Sequence, residues 1–294
     1  MQRTYILAPT DLGDETRLAD WLEASMLVER TEYASRAKIR RYIKSLFGED
    51  ELDIAVETVL REINRRKRLC QQAYPFSEES SGVRYSVGKA GVPYLFMLCI
   101  SASETYRAEK RQKETDELFD ELVLDALKAC LGPTSEGERF GSPASGSRPK
   151  NFRDSIRWIA HRMNLQQGKG NPRTHTGDGG LDVIAWRPFR DRRSGYMVLL
   201  AQCTVERDWF HKARDLQQDA WRGWIDLGKD PHLVFAIPFV IAAQYDKWDE
   251  LRRLVHTALD RLRLCELLDS VPLRASQAIQ KWVASEVDRM SGAK

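Results

Sequence analysis

Two oxygen-bearing side chains carry the clearest chemical signal in this chain. Asp182 follows an acidic, glycine-rich turn (Gly177-Asp178-Gly179-Gly180) and stands near the start of the apolar run Leu-Asp-Val-Ile-Ala-Trp at 181–186. Gln202 lies near the end of a second apolar run, Tyr-Met-Val-Leu-Leu-Ala-Gln-Cys-Thr-Val at 196–205. Both runs predict strands, and the polar stretch 188–195 between them predicts a hairpin connection. Side chains alternate along a strand, so Gln202 and Thr204 share one face and Ala201 and Cys203 the other. Pairing of the two strands then lets Asp182 and Gln202 meet across the ladder. Such oxygen donors, framed by Val, Ile and Leu, are costly to bury without a partner. A hard cation such as Mg²⁺ or Mn²⁺ is a suitable one: it accepts carboxylate and carbonyl oxygens, activates water and offsets charge on a phosphate under attack.

The elements around the pair must hold it in place. Upstream, 116–130 has Phe119, Leu122, Val123, Ala126, Leu127 and Cys130 on one helical face, and Leu131-Gly132-Pro133 stops that helix. The Gly-, Ser- and Pro-rich segment 133–151 predicts an exposed loop, 152–163 an amphipathic helix, and 168–180 a second loop. After the hairpin, 206–224 predicts a helix with Trp209, Ala213, Leu216 and Ala220 on one side. The continuous apolar run 232–241 predicts a central strand buried on both faces, with Pro238 ending its regular pairing early or marking a bulge. Helices over 248–268 and 276–290 complete the pattern. The expected class is α/β, a mixed sheet flanked by helices.

The first third reads differently. Helices are expected from Asp14, over 35–47 with Ser35 as N-cap and Gly48 as terminator, and over about 50–69. A turn-rich stretch at 74–82 leads to two expected strands, 84–87 and 94–100. The outline is an N-terminal, mainly helical domain carrying a small β-wing at 1–105, for recognition or docking, followed by an α/β domain at 106–294. A winged-helix DNA-binding module and a protein-docking module share that outline.

The words Gly-Asp-Gly-Gly-Leu-Asp-Val-Ile-Ala-Trp and Leu-Leu-Ala-Gln-Cys-Thr-Val resemble the core of Mrr-like restriction endonucleases and related PD-(D/E)xK nucleases. There a Gly-Gly-(Ile/Leu)-Asp strand leads by a hairpin to a strand ending Gln-Cys-Lys. Phe119-Asp120-Glu121-Leu122-Val123 is similar to that family's Phe-Glu-x-x-Val helix, and order and spacing agree over about 115–240. The hairpin words are moderately specific and the helix word alone is weak. The resemblance implies a restriction-endonuclease-like fold and Mg²⁺- or Mn²⁺-dependent hydrolysis of DNA phosphodiesters. It implies Asp182 as metal-binding aspartate, Gln202 at the (D/E) position, and Asp120, with Glu121 as the alternative, as the acidic helix residue.

One position departs from the pattern. The family's lysine falls on Thr204, whose hydroxyl supplies no positive charge. Lys212 is the first candidate to replace it and Arg207 the second; Arg207 and His175 are also candidates for contact with the nucleic acid. Without a replacement, the protein is a degenerate nuclease-fold subunit that binds DNA or a partner protein without cutting. An RNA-processing role is a third reading. Bacterial restriction or anti-phage defence is the setting the resemblance implies, with a defence-system partner or a second copy of the chain as associates.

Composition is compatible with these readings and narrows them little. The 294 residues are 42% hydrophobic and 30% charged, with a formal net charge of +3, so the global balance names no nucleic-acid partner. Basic runs at 36–44, 61–68, 107–113 and 187–193 are able to neutralise phosphates, although on helices such runs are ordinarily solvated faces. Five scattered cysteines without metal-ligand spacing read as free thiols. The longest apolar run, 93–100, is too short to span a membrane, and no signal peptide opens the chain, so a cytoplasmic protein is expected. Asp260-Arg261 reads as a helix-surface ion pair or one packed on the sheet. The Gly-Lys-Gly at 168–170 lacks P-loop spacing.

Overall fold

The computed structural model describes residues 4–48, 52–86, 88–106, 109–141, 144, 146–172, 179–269 and 271–292. In chain order the elements are α1 (Glu15–Val28), β1 (Tyr33–Ser35), α2 (Arg36–Phe47), α3 (Leu52–Cys70), β2 (Phe76–Glu79), β3 (Gly82–Tyr85), α4 (Val92–Ala102) and α5 (Glu109–Leu131). There follow β4 (Glu136–Arg139), α6 (Phe152–Arg162), β5 (Val183–Trp186), β6 (Val198–Cys203), α7 (Gln218–Trp224) and β7 (His232–Ala236). The last are α8 (Trp248–Leu254), β8 (Thr257–Leu259), α9 (Arg261–Leu268) and α10 (Ser276–Met290). Two sheets form, an antiparallel one ordered β1-β3-β2 and a mixed one ordered β4-β5-β6-β7-β8. The chain is therefore mixed α/β. No helix among the described residues is long and apolar enough to cross a membrane.

The chain divides into two compact units, and the division differs from the expected 1–105 and 106–294. One unit holds the residues up to Thr115 together with Pro238–Tyr245 and Asp260 onward; the other holds Asp116–Ile237 and Asp246–Leu259. Buried charge explains why the C-terminal helices join the first unit. Arg261 is fully buried, its guanidinium forked onto Asp20 at 2.8 and 2.9 Å and its Nε donating to the Pro238 carbonyl at 2.9 Å. It is thus neither a surface pair with Asp260 nor packed on a sheet. Asp260 instead caps α9, accepting from the Arg263 N–H at 3.0 Å, and also accepts from Ile241 N–H at 3.1 Å. Arg66 is equally buried and donates to Asp20, Glu23, Glu62, Tyr94 and the Thr16 carbonyl. A partner removed from such a network leaves an uncompensated buried charge.

In the same unit, the side chain of Ser35 caps α2, accepting from Lys38 N–H as expected from the sequence, and that of Asp14 caps α1, accepting from Arg17 N–H. The stretch 94–100 is not a strand. It lies in α4, which is buried on every side and carries Pro93 in its first turn. A continuously apolar run has no period to distinguish strand from helix. Of the expected wing strands, 84–87 overlaps β3, whose partners are β2 in the supposed turn 74–82 and β1. A Cβ on Gly82 would stand 2.1 Å from the Ala34 carbonyl oxygen, so only glycine lets β3 approach β1 here.

The mixed sheet of the second unit is covered on both faces. Phe140, Ile184, Trp186 and Leu200 meet α6 and α7 through Phe152, Ile156, Trp221 and Trp224. On the opposite face the small residues Gly137, Ala185 and Ala201 admit α5, whose Leu124 lies 2.6 Å from where a Cβ on Gly137 would be. β7 is an interior strand, second from the edge rather than central, and parallel to both β6 and β8. Two strands of this sheet were not expected. β4 is an edge strand with the polar sequence Glu-Gly-Glu-Arg inside the supposed loop 133–151, and β8 interrupts the supposed helix 248–268. The expected helix over 206–224 is a 3-10 segment, Phe210–Arg214, followed by the separate α7.

Candidate functional site

The site is built around the way the chain turns into β5. Gly180 has φ +73, and a Cβ there would lie 2.3 Å from the Asp215 carbonyl oxygen. A side chain is excluded on both counts. The pair of glycines thus presses the start of β5 against the end of the 3-10 segment that carries Lys212. Trp221 fixes the same turn by donating its indole N–H to the Gly179 carbonyl at 3.1 Å.

At Asp182 the ladder between β5 and β6 becomes irregular. The register Val183↔Ala201 continues to place Asp182 opposite Gln202. Yet Asp182 N–H donates to the Ala201 carbonyl at 3.0 Å, and Cys203 N–H is taken at 2.7 Å by the Asp182 carboxylate Oδ2. The Asp182 carbonyl accepts from both Phe140 N–H, at 2.6 Å, and Gly141 N–H, at 3.0 Å. This is the pattern of a bulge, which re-aims a side chain. Leu181 and Ile184 both enter the α6/α7 core, and the Asp182 carboxylate turns to the face of α5. Gln202 follows Val198 and Leu200 onto the α6/α7 face. The expectation that Asp182 and Gln202 meet across the ladder is therefore corrected: they stand opposite in register and diverge across the end of the sheet.

On the α5 face, Asp182 meets the acidic helix residue. A Cβ on Gly141 would stand 3.1 Å from Asp182 Oδ1 and 3.3 Å from Asp120 Oδ2, so the two carboxylates converge on one bare backbone position. Burial pushes the Asp120 carboxyl well above its ordinary range, and the Asp182 charge pushes the same way against the opposing pull of Arg139. Arg139, on β4, reaches Asp120 Oδ2 at 3.7 Å and Glu121 Oε1 at 3.5 Å. The buried Cys203 thiol also bonds Asp120. Asp116, one turn earlier on α5, has its carboxyl pushed up to about 6 by partial enclosure and then by Glu206 and Glu117.

On the other face, Gln202 Nε2 makes a long bond of 3.4 Å to the Cys203 carbonyl, while its amide oxygen Oε1 is buried without a hydrogen-bond partner. Such an orphaned acceptor costs on the order of 1–3 kcal/mol. Phe235, beside Gln202 in register, packs against Trp209, just before the 3-10 segment. Lys212 in that segment pairs with Glu206 at 3.4 Å and Asp215 at 3.8 Å. It thus lies in a 3-10 turn and not in the α-helix expected over 206–224. Arg207 is half-buried next to Glu206. Thr204 is buried, and its hydroxyl accepts from the Glu206 N–H at 3.1 Å. His175 and Asp178 lie outside the described residues.

The donors gathered here are two carboxylates, with an amide oxygen across the sheet end, and hard oxygen donors suit Mg²⁺ or Mn²⁺. Among the described residues no group of three His, Cys, Asp or Glu side chains is arranged to hold a metal ion. The sequence reading missed Arg139 and Gly141, because nothing in a polar Gly/Ser/Pro stretch marked β4. In comparison with known proteins, no family model, curated protein or solved structure matches the chain.

Proposed function

We propose that the chain is a metal-dependent nuclease of the PD-(D/E)xK kind, hydrolysing DNA phosphodiester bonds. The observation that supports this is the convergence of Asp120 and Asp182 at Gly141, where burial and the Asp182 charge raise the Asp120 carboxyl. The orphaned Gln202 oxygen stands at the same sheet end but on the other face. Asp182 and Asp120 would hold Mg²⁺ or Mn²⁺, with Glu121 as the nearest alternative, and Gln202 would join them only by turning round the sheet end. When bound, such an ion supplies a water of lowered pKa and offsets phosphate charge. Asp182 is held for this by Cys203 N–H. Lys212, on the turn pressed against Gly180, is the residue assigned to orient the substrate phosphate. DNA as substrate rests on the sequence resemblance, and the helix–strand–helix–helix–strand–strand order of α1 to β3, with sheet order β1-β3-β2, fits a winged-helix recognition module.

The test is plasmid cleavage with Mg²⁺ or Mn²⁺ by the wild type, Asp182→Asn and Lys212→Ala. Nicking that both substitutions abolish supports the assignment. A parallel comparison of duplex DNA, single-stranded DNA and RNA fixes the substrate class.

A second reading, a degenerate subunit that binds without cutting, is favoured by the engagement of the would-be catalytic groups. The Thr204 hydroxyl is occupied by Glu206 N–H, and Lys212 is held by Glu206 and Asp215. On this reading calorimetry detects no Mn²⁺ binding that depends on Asp182.

A further inference from the structure

The connection between β5 and β6 carries a feature that the cleavage site does not use. Between Trp186 and Val198 stand Arg187, Arg190, Arg192 and Arg193 against one acid, Asp191. All four arginines are exposed, and the hairpin's own carboxylate reaches Arg193 only at 3.9 Å. Phe189 is 59% and Met197 62% exposed. Of the four exposed large apolar side chains among the described residues, two are on this one hairpin.

The hairpin is held in a fixed form. Asn164 donates to the Arg192 carbonyl at 2.7 Å, the Tyr196 hydroxyl donates to the Met163 carbonyl, and Arg192 N–H closes a turn onto the Phe189 carbonyl at 3.0 Å. Arg192 itself sits at φ +55, a conformation held by those bonds. The ring of Phe189 is thus presented to solvent from an anchored turn.

We infer that this hairpin binds single-stranded nucleic acid, with its arginines on phosphates and Phe189 stacked on a base. Guanidiniums match phosphate oxygens in planar geometry. A phenyl ring offers a face on which any unstacked base can lie, and a duplex hides those faces within its own stack. The ring is what selects single strands; the arginines alone would serve either form. The hairpin is at the opposite end of β5 from Asp182, about 13 Å away at about 3.3 Å per residue. The inference stands on the hairpin's own residues and goes beyond the cleavage reading.

Fluorescence anisotropy of a labelled oligothymidylate and of a labelled duplex of the same length, in EDTA, tests it with the full chain. Phe189→Ala should weaken single-strand binding by about fivefold or more and leave duplex binding unchanged. The triple substitution Arg190→Gln, Arg192→Gln, Arg193→Gln should flatten the slope of log K against log salt for the single strand by about 2. These positions are exposed, and an unchanged melting temperature verifies the fold of each variant. Single-strand binding indifferent to Phe189→Ala, or an equal loss on the duplex, overturns the assignment. So does binding of phosphatidylserine vesicles through the hairpin without any effect on oligonucleotides. Because EDTA removes divalent metal, a protein that never cleaves DNA yet binds single strands through Phe189 would overturn the nuclease reading alone.

Discussion

The carboxylate of Asp182 occupies the place on Cys203 N–H, at 2.7 Å, that a ladder carbonyl holds in a regular pair of strands. One residue therefore has two tasks, closing the β5–β6 ladder and facing Asp120. Substitutions separate them. Asp182→Ala leaves a half-buried N–H without its acceptor and should cost about 1–3 kcal/mol in urea unfolding. Asp182→Asn retains an acceptor oxygen and should keep most of that stability while abolishing Mn²⁺ binding. Equal stability of the two variants would show that the bond contributes nothing.

Gly141→Ala tests the convergence of the carboxylates. The new methyl group would stand 3.1 Å from Asp182 Oδ1 and 3.3 Å from Asp120 Oδ2, so both must give way. Mn²⁺ affinity, read by calorimetry, should fall about 10-fold or more with the circular dichroism spectrum unchanged. An affinity equal to that of the wild type would place the metal elsewhere.

Arg261→Met tests the buried charge network of the first unit. It leaves Asp20 with Arg66 as its remaining cation and should destabilise that unit by about 3–5 kcal/mol in denaturant titration. A cost below about 1 kcal/mol would mean that the pair only balances its own desolvation.

The same network sets a pH dependence. Burial alone would raise the Asp20 carboxyl, but Arg261 and Arg66 hold it well below the ordinary carboxylate range. The unfolded chain then binds the proton first as pH falls, so Asp20 contributes stability above its unfolded value that is lost as acid passes its folded value. Glu23 has the opposite sign, since burial raises it despite Arg66, and its contribution fades as pH rises through its folded value. Asp20→Asn should flatten the acid limb of a stability–pH curve below the ordinary carboxylate range. An unaltered limb would assign it to other groups.

The sequence made legible the helix cap at Ser35, the hairpin strands, the strand broken before Pro238, and the C-terminal helix at 276–290. Each has a local cause: a capping side chain, a period of two or 3.6, or a proline. What stayed hidden depends on distant partners. The bulge at Asp182 depends on Cys203, 21 residues on. β4 and β8 are strands because neighbours pair with them, and their own residues have little strand preference. Arg66 looked like one member of a solvated basic run, and only Asp20 and Glu23, more than 40 residues earlier, explain its burial.

The fork from Arg261 to Asp20 spans 241 positions of sequence. During synthesis the second unit, contiguous over Asp116–Ile237 apart from a short final stretch, emerges almost whole before Arg261 exists. The first unit begins earlier and finishes later. Its helices must wait on the ribosome with Asp20 beside only one of its two arginines. A fragment ending near residue 115 inherits that waiting state, so a separately expressed N-terminal piece should need the last 35 residues supplied in trans before it folds.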